Sequence, residues 1–118
     1  MIVSESKVKV SAISANIPAV DIEIIKIYIQ GAVYSFCKNN PTSWFSVRTL
    51  FGGENTDWSN TPLNKIYNYH FKEQSNNPLQ SSAIDVGRLL KSVLADDKTR
   101  VFEMKKGFKT SEYRQVNN

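Results

Sequence analysis

The stretch TRVFEMKKGFKTSEYRQV, Thr99 to Val116, decides how the rest of the chain is read. RVFEMKK and SEYRQV are short alternating runs, the pattern of half-buried strands, and GFKT between them supplies a turn. The spacing predicts a β-hairpin whose tip carries Lys105, Lys106 and Lys109, with Arg100 and Arg114 on its strands.

The charge of the chain is concentrated there. Residues 1–97 carry nine Lys/Arg and nine Asp/Glu, which cancel. Residues 98–118 carry six basic groups against Glu103 and Glu112, so six minus two accounts for the whole formal charge of +4. Such asymmetry points to an anionic partner, and equally fits a turn kept lysine-rich for solubility.

Working back from the hairpin, AIDVGRLLKSVL predicts a helix with Val86, Leu89, Leu90, Val93 and Leu94 inward and Asp85, Arg88 and Ser92 outward, with Lys91 beside them. Ser82 and Asp85 have the spacing of a capping box, which leaves SNNPLQ before them as a loop. TPLNKIYNYHFKEQ predicts another helix, with Thr61 as N-cap and Pro62 in its first turn. Its inward face is Leu63, Ile66, Tyr67 and either His70 or Phe71. TSWFSVRTLFGG predicts a short helix capped by Ser46, carrying Val47, Leu50 and Phe51, and ended by Gly52 and Gly53. Trp44 and Phe45 are expected to plug the core, and Trp58 to fold back onto it.

The first helix is read from Asn16 onward, with Pro18 at an early position, and stops at Asn39–Pro41. Ile22, Ile25, Ile29, Val33 and Phe36 follow the helical period, while Ile24, Ile27 and Tyr28 widen the apolar stripe. Residues 1–17 are expected to form a loosely ordered arm or, through the alternating KVKVSAI, an edge strand. The fold class is therefore mainly α with a small C-terminal β-hairpin, in one domain over residues 18–118. Helices followed by a two-stranded ribbon are the layout of a winged helix-turn-helix domain.

At 118 residues the chain can bury a core without staples. Cys37 is the one cysteine, so no intramolecular disulfide and no Cys-rich zinc site is expected. No apolar run reaches the roughly 18 residues of a membrane span, and the N-terminus has no secretory apolar region. The expected location is cytoplasmic. No cofactor or metal is expected, because Asp96 and Asp97 alone supply too few ligands and FGGEN lacks the Lys-Ser/Thr of a phosphate loop. His70 has no evident catalytic partner in sequence and reads as a packed or surface residue, so no enzyme activity is expected.

The segment DVGRLLKSVLADDKTRVFEMKKGFKTSEYRQV resembles the C-terminal winged-helix modules of phage and plasmid replication primase-helicase proteins. Gly87, Arg88, Leu89 and Leu90, then Tyr113 and Arg114, carry the resemblance, and WFSVRTLFGG resembles the short helix that precedes them. It implies a helix presented to a DNA groove and a ribbon lying along the backbone. The helix at 61–74 is additional to the minimal fold.

Two functions follow. In the first, a non-catalytic module binds nucleic acid, duplex DNA above all. Arg100, Lys105, Lys106, Lys109 and Arg114 would neutralise phosphates, and Arg88 and Lys91 would reach the groove. Arg88 has a competing role as the ion-pair partner of Asp85, and Lys91 as a solvated helix residue. Asn64, Lys65, Asn68 and Lys72 offer a rival polar face. In the second, the chain docks a protein partner or dimerises through the surplus apolar surface of the first helix.

Overall fold

The computed structural model describes residues 1–3, 9–52, 57–107 and 110–116. Among the described residues, four helices make up about half of the chain: α1 (Ala19–Asn39), α2 (Val47–Phe51), α3 (Asn64–Lys72) and α4 (Pro78–Asp96). Three strands, β1 (Ile2–Val3), β2 (Val101–Lys106) and β3 (Ser111–Val116), form a mixed sheet in the order β1-β2-β3. The hairpin of β2 and β3 is as expected, antiparallel from Val101–Val116 to Lys106–Ser111. The strand from the N-terminal arm is Ile2–Val3, parallel to β2, while residues 9–13 of KVKVSAI form no strand.

Helix α1 runs as its period predicts and stops at Asn39, with Asn40 as C-cap. Its buried stripe is Ile25, Ile29, Val33 and Cys37, spaced one turn apart. Phe36 is only half-buried, and Ile24 and Ile27 face solvent, so the widened stripe is not core. Beyond the helix, Phe45 is fully buried and bridges Tyr113 on the free edge of β3, with backbone hydrogen bonds of 2.7 and 2.8 Å. Ser46 then caps α2, accepting from Thr49 N while Thr49 Oγ1 accepts from Ser46 N. Gly52 ends it at φ 85°, a left-handed conformation that glycine adopts without a Cβ clash. Gly53 lies outside the described residues. Trp58 packs back on this helix, its Nε1 donating to Phe51 O.

Several expectations about α3 and α4 are corrected. Helix α3 begins at Asn64, not at Thr61, because residues 61–66 first make tighter i to i+3 bonds and Thr61 Oγ1 turns back to Trp58 O. Its inward residues are Leu63, Ile66 and His70, while Tyr67 is only half-buried and Phe71 is 63% exposed. Helix α4 begins at Pro78, inside the expected loop: Asn77 caps it by accepting from Gln80 N, and Pro sits where a missing N–H costs nothing. Ser82 and Asp85 thus lie within the helix and form no capping box. Ser82 Oγ donates to Pro78 O, and Asp85 is fully buried instead of facing out.

The inward residues of α4 are as its period predicts, Val86, Leu89, Leu90, Val93 and Leu94. They meet Phe45, Phe102 and Tyr113 from the sheet and Ile25, Ile29 and Val33 from α1 in one core. The segment before α1 is tied to this core. Asp85 accepts from Ser14 N at 2.8 Å and Ala15 N at 3.0 Å, and Arg88 Nη1 donates to Ala12 O at 3.2 Å. Among the described residues, no helix is long and apolar enough to cross a membrane.

Candidate nucleic-acid interface

The sheet register sorts the predicted cations. Residues paired across β2 and β3 share a face, and successive residues alternate. Phe102, Met104 and Lys106 therefore share one face with Gln115, Tyr113 and Ser111. Phe102 and Tyr113 are buried, so this is the face toward the helices. Glu103, Lys105, Glu112 and Arg114 share the outer face.

On that outer face the cations are engaged. Arg114 pairs with Glu103, its Nε donating at 2.6 Å, and Lys105 Nζ lies 3.9 Å from Glu112. Trp44 stands beneath them, with Lys105 Nζ 4.2 Å and Arg114 Cζ 4.6 Å from its ring centre. Because Phe45 bridges Tyr113 on the inner face, its neighbour Trp44 turns to the outer one. The expectation that Trp44 plugs the core is thus corrected: it is half-buried under two cations, an arrangement worth about 0.5–1 kcal/mol per pair at an exposed site. Glu112 and Glu103 thus neutralise Lys105 and Arg114, so the excess of four counted in sequence does not sit on the outer face of the ribbon.

Arg100 lies elsewhere. Its guanidinium stacks 3.8 Å over the Tyr34 ring of α1 and donates to Gln115 Oε1 at 3.2 Å. The Tyr34 hydroxyl in turn donates to Asp97 at 2.7 Å. Lys109 lies outside the described residues.

Arg88 and Lys91 line a cleft of about 1090 Å³ between α2, α4 and the start of β3. The exposed face of α4 forms one wall, with Gln80, Ala83 and Gly87 along it. The first turn of α2 and residues 110–113 form the others. Two cations that sequence reading missed complete it, Lys9 from the N-terminal segment and Arg48 from α2. Lys9, Arg48 and Lys91 have no carboxylate partner among the described residues. Arg88 is partly committed, 4.0 Å from Asp85 and bonded to Ala12 O. Glu112 is the one carboxylate among the lining residues. Lys106 joins this side of the ribbon through Ser111, with which it pairs. The sequence holds a signal for Arg48: with Val47, Leu50 and Phe51 on the inward side of the short helix, Arg48 falls on the outward side.

The rival face of α3 is exposed at Lys65, Asn68 and Lys72. Lys65 reaches Asp21 of α1 at 3.8 Å, and Asn64 is half-buried. His70 is packed, as expected, and also has a carboxylate partner that sequence reading missed. Its Nε2 donates to Asp85 Oδ2 at 2.7 Å, with both side chains inside the protein. Burial shields this pair from any substrate, so it ties α3 to α4.

No family model matches this chain, and neither a curated protein nor a solved structure is significantly similar to it.

Proposed function

We propose that this chain is a non-catalytic nucleic-acid-binding module of winged-helix type that takes duplex DNA in the cleft between α2, α4 and the ribbon. The observation that carries it is the charge of that concave surface. Among the described residues, Lys9, Arg48 and Lys91 line it with no carboxylate partner, Arg88 is shared with Asp85, and the one lining carboxylate, Glu112, is met by Lys105. Cations left without partners around a cleft gain most by displacing counterions from a phosphate backbone. The element order supports the same reading: a helix, a residue bridged to the last strand, helices, then a two-stranded ribbon. In this arrangement Arg48, Lys91, Lys9 and Lys106 contact phosphates, and the outer α4 face with Gln80 and Arg88 meets base edges.

Anisotropy of a labelled duplex, titrated at rising salt, tests this. The expected result is binding that weakens steeply with salt. Replacing Arg48 and Lys91 together by Ala should weaken it for every duplex sequence and reduce the salt slope by roughly one to two units. No binding at low salt, or binding indifferent to salt, overturns the proposal.

A further inference from the structure

The outward face of α1 is unusually bare of charge for a surface helix. Val20, Ile24 and Ile27 are 65%, 49% and 67% exposed, and with Gly31 they recur at spacings of four, three and four. That is the spacing of a coiled-coil seam. Ile25, Ile29 and Val33 point the other way into the core, so the seam is independent of folding. The seam ends at Gly31, because the next position is Tyr34, already held by Arg100 and Asp97.

Gly31 supplies a second observation. Mid-helix glycine destabilises a helix relative to alanine. Among the described residues nothing requires it here, since a Cβ added at Gly31 would meet no atom within 4 Å. A missing side chain on an open apolar seam is explained by the close approach of another helix.

We infer that α1 pairs with α1 of a second copy of this chain, antiparallel, about a two-fold axis near residues 25 and 26. Ile24 then lies against the partner's Ile27, and Val20 fills the space over the partner's Gly31. A parallel pair would bring Lys38, on the line that continues past Tyr34, toward its own copy and align the two helix dipoles, whereas the antiparallel pair leaves Lys38 beyond the overlap and opposes the dipoles. Glu23 faces the partner's Gln30 in this register, so no like charges meet. The area sets the strength. The seam and the adjoining edge of Tyr28 expose on the order of 400 Å², the size of the largest patch on a typical monomer. Two copies bury roughly 800 Å² in total, below the roughly 1,200 Å² of standard stable interfaces. The dimer is therefore weak and concentration-dependent, with dissociation in the micromolar range or above.

Sedimentation of the full chain over a wide concentration series tests the pairing. The wild type should shift from monomer to dimer. Ile27→Glu and Gly31→Lys should each raise the dissociation constant at least about tenfold. Gly31→Lys should at the same time raise the melting temperature of the monomer, which a variant that merely unfolds cannot do. For orientation, a mixture of Val20→Cys and Gly31→Cys chains should cross-link on mild oxidation, and Val20→Cys alone should not. A monomer at every concentration overturns the inference and leaves the seam to a different protein. A dimer untouched by both substitutions overturns it too, and self-linking of Val20→Cys overturns the antiparallel arrangement. None of these outcomes depends on DNA binding, since Arg48 and Lys91 are not on α1.

Discussion

His70 Nε2 and Asp85 Oδ2 meet at 2.7 Å inside the core, and the same carboxylate holds Ser14 and Ala15. One buried side chain thus fastens α3, α4 and the segment leading into α1. Asp85 is fully inaccessible, and no buried side-chain N or O among the described residues lacks a partner. A buried charge is tolerable only when its partners are complete.

Asp85→Ala would strand those donors away from water. The expected loss is about 3–5 kcal/mol of stability, the range for removing one member of a buried pair. Urea unfolding measures it, and a double-mutant cycle with His70→Leu should return a coupling of about 0.5–3 kcal/mol. Additive effects of the two substitutions would show that the pair is not a unit.

Asp97 gives the fold an acid-sensitive joint. Burial works to raise its pKa, but hydrogen bonds from the Tyr34 hydroxyl, the Thr99 and Arg100 amides and the Thr99 hydroxyl outweigh it and hold it below the ordinary 3.8. Folding therefore favours the ionised form. Its stabilisation is fully present above the ordinary value and is lost as pH falls through the lowered one. Asp97→Asn should be less stable than wild type near neutral pH, with the gap closing below pH 3.8. An unchanged gap in acid would remove the carboxylate as its cause.

Cys37 should be inert while the protein is folded. Burial raises its pKa, and the neighbouring Arg100 offsets this only in part. Thiolate is the reactive form, so a disulfide reagent near neutral pH should label the native chain at least about tenfold more slowly than the urea-unfolded chain. Equal rates would place the thiol at the surface.

The two faces of the ribbon should behave differently toward DNA. Lys106→Ala, on the helix-facing side, should weaken duplex binding more than Lys105→Ala or Arg114→Ala, whose cations lie against Glu112, Glu103 and Trp44. The comparison uses the same salt titration, and the reverse order would move the interface to the outer sheet face.

A tighter geometric test falls on Gly107. A Cβ there would lie 2.5 Å from Thr110 O and 2.8 Å from Glu112 Oε2. Gly107→Ala must deform the hairpin turn, and the expected cost is about 1–3 kcal/mol, read from thermal unfolding. A neutral substitution would mean the turn relaxes freely.

The sequence by itself determined the elements whose causes are local. The period of α1, the cap at Ser46, the stop at Asn39 and the hairpin from Val101 to Val116 each depend on residues a few positions apart, and each stands where the pattern put it. Tertiary structure alone decided what those elements face. Asp85 reads as an outward helix residue until Ser14, Ala15 and His70 converge on it from 15 and more residues away. Lys105 and Lys106 are neighbours in sequence and opposites in space, because strand register sends alternate side chains to opposite faces and the Phe45 bridge fixes which face is inside. Lys9 and Arg48 enter the cleft only because packing brings their segments beside α4.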